Sequence, residues 1–126
     1  MHLNPDCMRD ILLFVEDAPF RKNVSIDELD SSLFYSREEI MYACIKMIEA
    51  GFLSGSWSVD DFGMSVHYIS DIKYPGHQLL ADIRSDNVWN KTKGILSKVG
   101  STSVSTIVQV SSGILAALIK AELGLI

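Results

Sequence analysis

The sequence predicts a mainly α-helical protein with one small β-hairpin and a long C-terminal helical segment. Three observations lead to this fold class. Three apolar patterns of helical period occupy residues 1–51, and each begins at a residue that commonly caps a helix. The period changes to two over residues 52–69. Further along, the chain has an uncharged stretch of 21 residues, 99–119.

The first helix is predicted to begin at Asn4 and Pro5 and to end near Asp17. Asparagine is a favourable N-cap, and proline fits the first helical turn, where its missing N–H needs no partner. Apolar residues then recur at helical spacing, at Met8, Ile11, Leu12 and Val15. The segment 18–23 contains proline and asparagine and is predicted to end this helix.

Two capping boxes predict the next two helices. Ser25 with Glu28 opens a short helix, and Ser36 with Glu39 opens a longer one. The longer helix is predicted to stop at Gly51, in the left-handed conformation that glycine tolerates after a helix. Its predicted buried face consists of Ile40, Ala43 or Cys44, Met47 and Ile48. Three helices with a short turn between the second and third form a helix-turn-helix pattern.

A β-hairpin is predicted directly after the third helix. Residues 52–59 partly alternate between apolar and polar, residues 60–63 have turn composition, and residues 64–69 alternate again. Helix, short helix, helix and hairpin is the order of a winged helix-turn-helix domain. We place this domain at residues 1–86.

A further helix is predicted after Tyr74-Pro75, and it closes the domain. Its apolar residues lie on one side, at Leu79, Leu80, Ile83, Val88 and Trp89. The helix is expected to continue toward the C-terminus, with a break near Gly94 or Gly100, because glycine weakens or ends helices.

Residues 87–126 are predicted to be a C-terminal helical assembly segment. A heptad row of the kind that packs helix on helix consists of Val104, Ile107, Ser111, Ile114, Leu118, Ala121 and Leu125. A second row contains small residues that let another backbone approach, with Gly113 and Ala117 at the predicted closest contact. Self-association is the favoured interpretation. Membrane contact and packing against the chain's own domain are the alternatives, and the many Ser and Thr residues before Gly113 oppose the first of these.

Charge is distributed unevenly along the chain. Residues 1–86 carry seven Lys/Arg and fifteen Asp/Glu, a net of −8, whereas residues 87–126 carry four Lys and one Glu, a net of +3. A nucleic-acid-binding protein usually shows a basic stripe instead. The N-terminus lacks a basic region followed by an apolar run, so we expect a cytoplasmic protein whose cysteines, Cys7 and Cys44, are buried free thiols.

No pattern of a catalytic, metal or cofactor site is recognised. His2, His67 and His77 are isolated from one another, with no acid or cysteine at a zinc-binding spacing. A Gly-rich phosphate loop and a nucleophile-elbow motif are missing from the sequence. We therefore expect no enzymatic activity, no metal and no cofactor.

DNA binding is the natural alternative for a winged helix. The third helix would enter the major groove, with Arg37, Tyr42 and Lys46 as the contact residues on its outward face. The tip of the predicted wing, however, carries Asp60 and Asp61 and no basic residue. Acidic groups at that position oppose the phosphate contacts that supply most non-specific affinity, so DNA binding is disfavoured.

Three segments resemble a family of small bacterial and prophage proteins catalogued as a domain of unknown function and related to YjcQ-type winged-helix proteins. The segments are 3–12 (LNPDCMRDIL), 74–84 (YPGHQLLADIR) and 88–93 (VWNKTK). The resemblance covers essentially the whole chain. Lys73 departs from the threonine that would cap the next helix in this family, so that cap is expected to be missing. The resemblance implies a winged-helix fold and a mobile-element setting, and it implies no activity and no functional residues.

The expected function is that of a non-enzymatic protein-interaction module of phage or mobile-element type. It is predicted to self-associate through Val104, Ile107, Gly113, Ile114, Ala117, Leu118, Ala121 and Leu125. A second protein is the expected further partner, as for an accessory factor or inhibitor of a host or phage protein. The alternatives are a winged-helix transcriptional regulator that binds DNA and a membrane-active protein that inserts its last helix.

Overall fold

The computed structural model describes residues 1–124, which form six helices and one antiparallel sheet of three strands. The elements in chain order are α1 (Pro5–Asp17), β1 (Val24–Ser25), α2 (Ile26–Ser32), α3 (Arg37–Glu49), β2 (Leu53–Asp60), β3 (Gly63–Ile72), α4 (Tyr74–Ile83), α5 (Asp86–Val99) and α6 (Val104–Glu122). The predicted class, mainly helical with a small β component, is confirmed.

The predicted helix starts are confirmed by their caps. The side chain of Asn4 accepts hydrogen bonds from two backbone N–H groups in the first turn of α1. Ser25 and Ser36 each accept one from the N–H three residues on. The carboxylate of Glu39, however, accepts a hydrogen bond of 2.8 Å from the side-chain amide of Asn4. This contact ties the start of α3 to the start of α1.

The sheet contains one strand that the sequence pattern does not reveal. β1 is two residues long and pairs with the middle of β3, with Val24 opposite Ile69 and Ser25 opposite Tyr68. Two residues are too few to show a period of two, so this pairing depends on the position of β3 in the fold. β3 is thus the central strand, with β1 on one side and β2 on the other.

The single helix expected after Pro75 is wrong, because the chain breaks between α4 and α5 at Arg84 and Ser85. Ser85 caps α5 by accepting from the backbone N–H of Val88. Gly94 lies inside α5, while Gly100 ends it in the left-handed conformation, as one of the two expected breaks. Lys73 gives α4 no side-chain cap, as expected.

Arg9 of α1 stabilises the break between α4 and α5. Its guanidinium donates to the backbone carbonyls of Ile83 and Arg84, each at 2.8 Å, and to the carboxylate of Asp86 at 3.0 Å. The last carbonyls of a helix have no partner within the helix itself, so they need donors of this kind. A second contact between α1 and α5 is the hydrogen bond of 2.9 Å that the indole N–H of Trp89 donates to the carboxylate of Asp6.

The core extends beyond the domain boundary that we predicted at residue 86. Helices α1, α2 and α3 pack against the sheet, α4 packs against α1, and α5 packs against α4 and α6. Trp89, Leu96 and Ile107 belong to the same buried cluster as the residues of α1 and α3. One side of α5, with Trp89 and Leu96, and Ile107 at the start of α6 therefore contribute to the core.

The two cysteines are buried and free, as predicted. Burial is the main cause that raises the pKa of each thiol to about 12. For Cys7 the carboxylates of Glu39 and Asp10 add to this effect, and for Cys44 it is Cys7 that adds to it. Both groups stay protonated at neutral pH, and a protonated thiol is a poor nucleophile.

We predict that neither thiol reacts with Ellman's reagent in the native protein at pH 8. The two thiols should react together after unfolding in denaturant, because unfolding removes the burial that keeps them protonated. The measurement is the absorbance of released thionitrobenzoate with and without denaturant. Rapid release of even one equivalent from the native protein would contradict this prediction.

Candidate functional site

Helix α6 is anchored to the domain by its first half. Ser103 caps it, and its hydroxyl accepts from the backbone N–H of Thr106 at 3.2 Å. Ile107 and Ser111 are fully buried where α6 packs against α4 and α5. The Ser111 hydroxyl donates to the carbonyl of Val108, so burial leaves it with a partner. The first half of α6 thus packs on the chain's own domain, which was one of the alternatives to self-association.

The second half of α6 has no buried residue. From Ser112 to Gly124 every side chain is half-buried or exposed, and Ile119 and Leu123 are 50% and 66% exposed. We call residues 112–124 the distal segment. By length and composition α6 could cross a membrane, and 11% of its most apolar stretch is buried.

The predicted assembly residues divide between these two halves. Ile107 serves the core of the chain itself. Val104, Ile114 and Leu118 are half-buried, and Gly113, Ala117 and Ala121 are exposed. Leu125 lies outside the described residues. Six of the eight positions are therefore surface-accessible in full or in part.

The predicted DNA-contact residues of α3 are engaged within the domain. The guanidinium of Arg37 lies 2.8 Å from the carboxylate of Asp27 and 3.3 Å from that of Asp30. These contacts raise the pKa of Arg37, with the Asp27 hydrogen bond as the largest cause. A cation already neutralised by two carboxylates has little to offer a phosphate.

Lys46 and Tyr42 also contact side chains of the same domain. The ammonium of Lys46 pairs with Glu49 at 3.1 Å and lies 5.4 Å from the centre of the Tyr42 ring. At the hairpin tip, Asp60 accepts from the backbone N–H of Phe62, and β2 and β3 contain no Lys or Arg. The two basic residues predicted to contact DNA, Arg37 and Lys46, are therefore each paired with carboxylates of the same domain.

An apolar surface beside these charges was missed in the sequence analysis. On α3, Met41 and Ile45 are half-buried and lie one helical turn apart. Along the hairpin, Trp57 and Val59 are 51% and 66% exposed. Together with Met64 of β3, these residues form what we call the α3–hairpin face. The i, i+4 spacing of Met41 and Ile45 was the sequence signal that could have revealed it.

Strand register places the hairpin residues of this face on the side where α3 packs. Trp57 is opposite Val66, and Val59 is opposite Met64. Directly opposed residues of an antiparallel pair point to the same side of the sheet. Val66 is buried against α3, where its backbone N–H approaches the Met41 sulfur at 3.2 Å. Trp57 and Val59 are therefore exposed residues on the same side of the hairpin as the buried Val66.

A groove of about 530 Å³ lies on the α3 part of this face. It is lined by Met1, Arg37, Glu38, Met41, Tyr42 and Ile45. A second cavity, of about 590 Å³, lies where α6 begins, and residues 100–104 and Tyr42 line part of it. Tyr42 therefore lines both the groove and the cavity, so the α3–hairpin face lies next to the start of α6.

Polar side chains do not converge into a reactive cluster in the described part of the chain. The imidazole of His67 shares a hydrogen bond of 2.9 Å with the hydroxyl of Ser58 on the exposed side of the hairpin. Over residues 1–124 there is no group of three His, Cys, Asp or Glu residues placed to hold a metal ion. The candidate site consists of two apolar surfaces, the distal segment and the α3–hairpin face.

We predict that Ile107→Ala lowers the free energy of unfolding by about 2–5 kcal/mol, because it leaves a cavity where α6 joins the core. The matched control is Ile119→Ala, the same change at an exposed position of the same helix, which should cost far less. Urea denaturation followed by circular dichroism, at low protein concentration, measures both. Equal effects of the two changes would show that the first half of α6 is not part of the core.

Comparison with known protein families gives a match over most of the chain. A family model described as "Hypothetical protein (DUF2513)" matches residues 2–103. No curated protein and no solved structure matches the chain. The match ends one residue before α6 begins, so α1 to α5 and all three strands lie inside it. The family model covers most of the chain, and the protein belongs to the DUF2513 family.

Proposed function

We propose that this protein is a non-enzymatic protein-interaction module that associates with copies of itself through the distal segment of α6. The observation that carries the proposal is the exposure of this apolar segment. Every residue from 112 to 124 is at least partly accessible, although only Lys120 and Glu122 among them are charged. The phage or mobile-element setting, and a role as accessory factor or inhibitor of another protein, follow from the family resemblance alone.

The order of elements supports a winged-helix assignment for the domain. Helix, short strand, helix, helix and a two-stranded hairpin follow one another from α1 to β3, and β1 joins the sheet beside β3. A helix-turn-helix unit is formed by α2 and α3. In this proposal the fold serves as a scaffold for protein contacts, because the cations on α3 are paired with carboxylates of the same domain.

Burial of apolar side chains supplies the free energy for the proposed association. Fully burying one Leu or Ile side chain contributes about 1.5–3 kcal/mol. The distal segment offers Ile114, Leu118, Ile119 and Leu123, and two copies offer two such sets. Association costs about 4–15 kcal/mol in lost translational and rotational freedom. Ile114 and Leu118 are already half-buried, and Ile119 and Leu123 are 50% and 66% exposed, so each gains only part of that free energy and the two sets together reach the lower part of the range of this cost.

We predict that the wild-type chain is an oligomer and that Leu118→Glu converts it to a monomer, because the change puts a charge into the apolar contact. The matched control is Gln109→Glu, which adds the same charge at an exposed position of the same helix outside the heptad row. Multi-angle light scattering after gel filtration measures the mass of each. A wild-type chain that is monomeric at micromolar concentration overturns the proposal.

A membrane-active function is the second candidate, favoured by the length and composition of α6. The buried anchor at Ile107 and Ser111 counts against it. While that anchor holds, the unburied part of α6 runs from Ser112 to Glu122, which corresponds to about 17 Å of helix. A bilayer core is about 30 Å thick, so this part of the helix does not span it.

We predict that the full-length chain does not float with vesicles of phosphatidylcholine and phosphatidylglycerol in a density gradient. We expect this because association of copies covers the distal segment, and because the unburied part of α6 is shorter than the bilayer core is thick. Flotation that persists in high salt and in carbonate would favour the membrane function. Loss of that flotation in Leu118→Glu, but not in Gln109→Glu, would place the insertion in the distal segment.

A further inference from the structure

Helix α6 is joined to the domain by a short connection and is held against it by apolar packing. The connection between α5 and α6 consists of residues 100–103, which we call the hinge. Ile107 is fully buried where α6 packs against α4 and α5, and Val104 and Val108 pack against the same core. The free energy of such packing depends on the apolar area removed from water and not on the direction of any bond.

The polar contacts of α6 stay within the hinge and the helix itself. Each side-chain hydrogen bond of residues 101–124 joins two residues of that stretch. The hydroxyls of Ser101 and Ser103, for example, both pair with the hydroxyl of Thr106, at 3.0 and 2.8 Å. The ion pairs of the described residues all lie outside this stretch. Helix α6 would therefore keep all of these polar contacts if it moved away from its own domain.

The hinge lies in loosely packed surroundings. Gly100 and Thr102 line two different cavities, one of about 590 Å³ and one of about 400 Å³. Gly100 turns the chain with a φ of 70°, and glycine adopts conformations of negative φ as readily. The hinge therefore has both the space and the conformational freedom to direct α6 away from α5.

We propose that two copies exchange α6, so that Ile107 and Ser111 of each copy pack on α4 and α5 of the other. The inference rests on the self-association proposed above and adds the first half of α6 to the contact between copies. The surface that receives α6 is visible in the single chain, because α6 covers it there. Exchange of an identical element re-forms the same contact between two chains, which makes it a low-cost route to a dimer. Any further contact between the copies, such as that of the distal segments, then favours the exchanged pair.

The first test measures distances between spin labels by pulsed electron paramagnetic resonance. The labels are attached to Lys91→Cys on α5 and Gln109→Cys on α6, two exposed positions on helices that pack together. Cys7 and Cys44 are buried, so the labels attach selectively to the introduced thiols. The doubly labelled full-length chain is then refolded from urea, either alone or together with a large excess of unlabelled full-length chain.

We expect the distance between packed α5 and α6 to be present in the labelled protein alone and to be lost on dilution with unlabelled chain. The reason is that, in an exchanged pair, this distance joins two different chains. If the distance persists on dilution while the wild-type chain is dimeric by light scattering, α6 packs on its own domain. That result overturns the exchange and leaves the proposed self-association standing, whereas a monomeric wild-type chain overturns both proposals.

The second test changes the length of the hinge. Insertion of Gly-Ser-Gly-Ser after Thr102 lets α6 fold back on its own domain with less constraint, so we expect the dimer to dissociate at higher protein concentration than wild type. The matched control is the same insertion after Asp61, in the exposed turn between β2 and β3, which should leave the dimer unchanged. Light scattering over a range of concentrations measures both. A hinge insertion that leaves the dimer as stable as the control does would contradict the exchange, since contact through the distal segments alone does not depend on the length of the hinge.

Discussion

The guanidinium of Arg9 is the contact on which the arrangement of the C-terminal half depends. It is mostly buried and satisfies two carbonyls at the end of α4, pairs with Asp86 at the start of α5, and lies 5.7 Å from the centre of the Trp89 ring. One side chain of α1 therefore sets both the end of one helix and the direction of the next. Together with α4, α5 in turn provides the surface on which Ile107 and Ser111 of α6 are buried.

The acidic domain neutralises its own cations. Arg37, Lys46, Lys22 and Arg84 each pair with a carboxylate of the same domain, and Lys93 pairs with Asp6. Surface pairs of this kind contribute little stability one by one. Their effect is on the electrostatic potential around the domain. With the cations paired, the excess of carboxylates makes this potential negative, which opposes the approach of a polyanion such as DNA. The exposed groups left to attract a partner are apolar, and for this reason the proposed function is a protein contact.

Helix α6 occupies a distinct place in the chain. The family match covers the domain through α5 and ends just before α6. The first half of α6 completes the core of that domain, and the second half projects an apolar surface from it. A single helix thus links the packing of the domain to the proposed contact with a second copy, because an α-helix transmits the orientation of its anchored half to its free half.

Local signals in the sequence determined the starts of α1, α2 and α3, the class of the fold, the burial of Cys7 and Cys44 and the apolar character of α6. Each depends on residues within a few positions of one another, such as Ser36 and the N–H of Glu39. The tertiary structure decided the strand β1, the break at Ser85 and the partners of Arg37, because these depend on groups distant in sequence. It also decided which half of α6 is buried. A heptad row has the same spacing whether it faces its own domain or another molecule, and only the position of α4 and α5 separates Ile107 from Leu118.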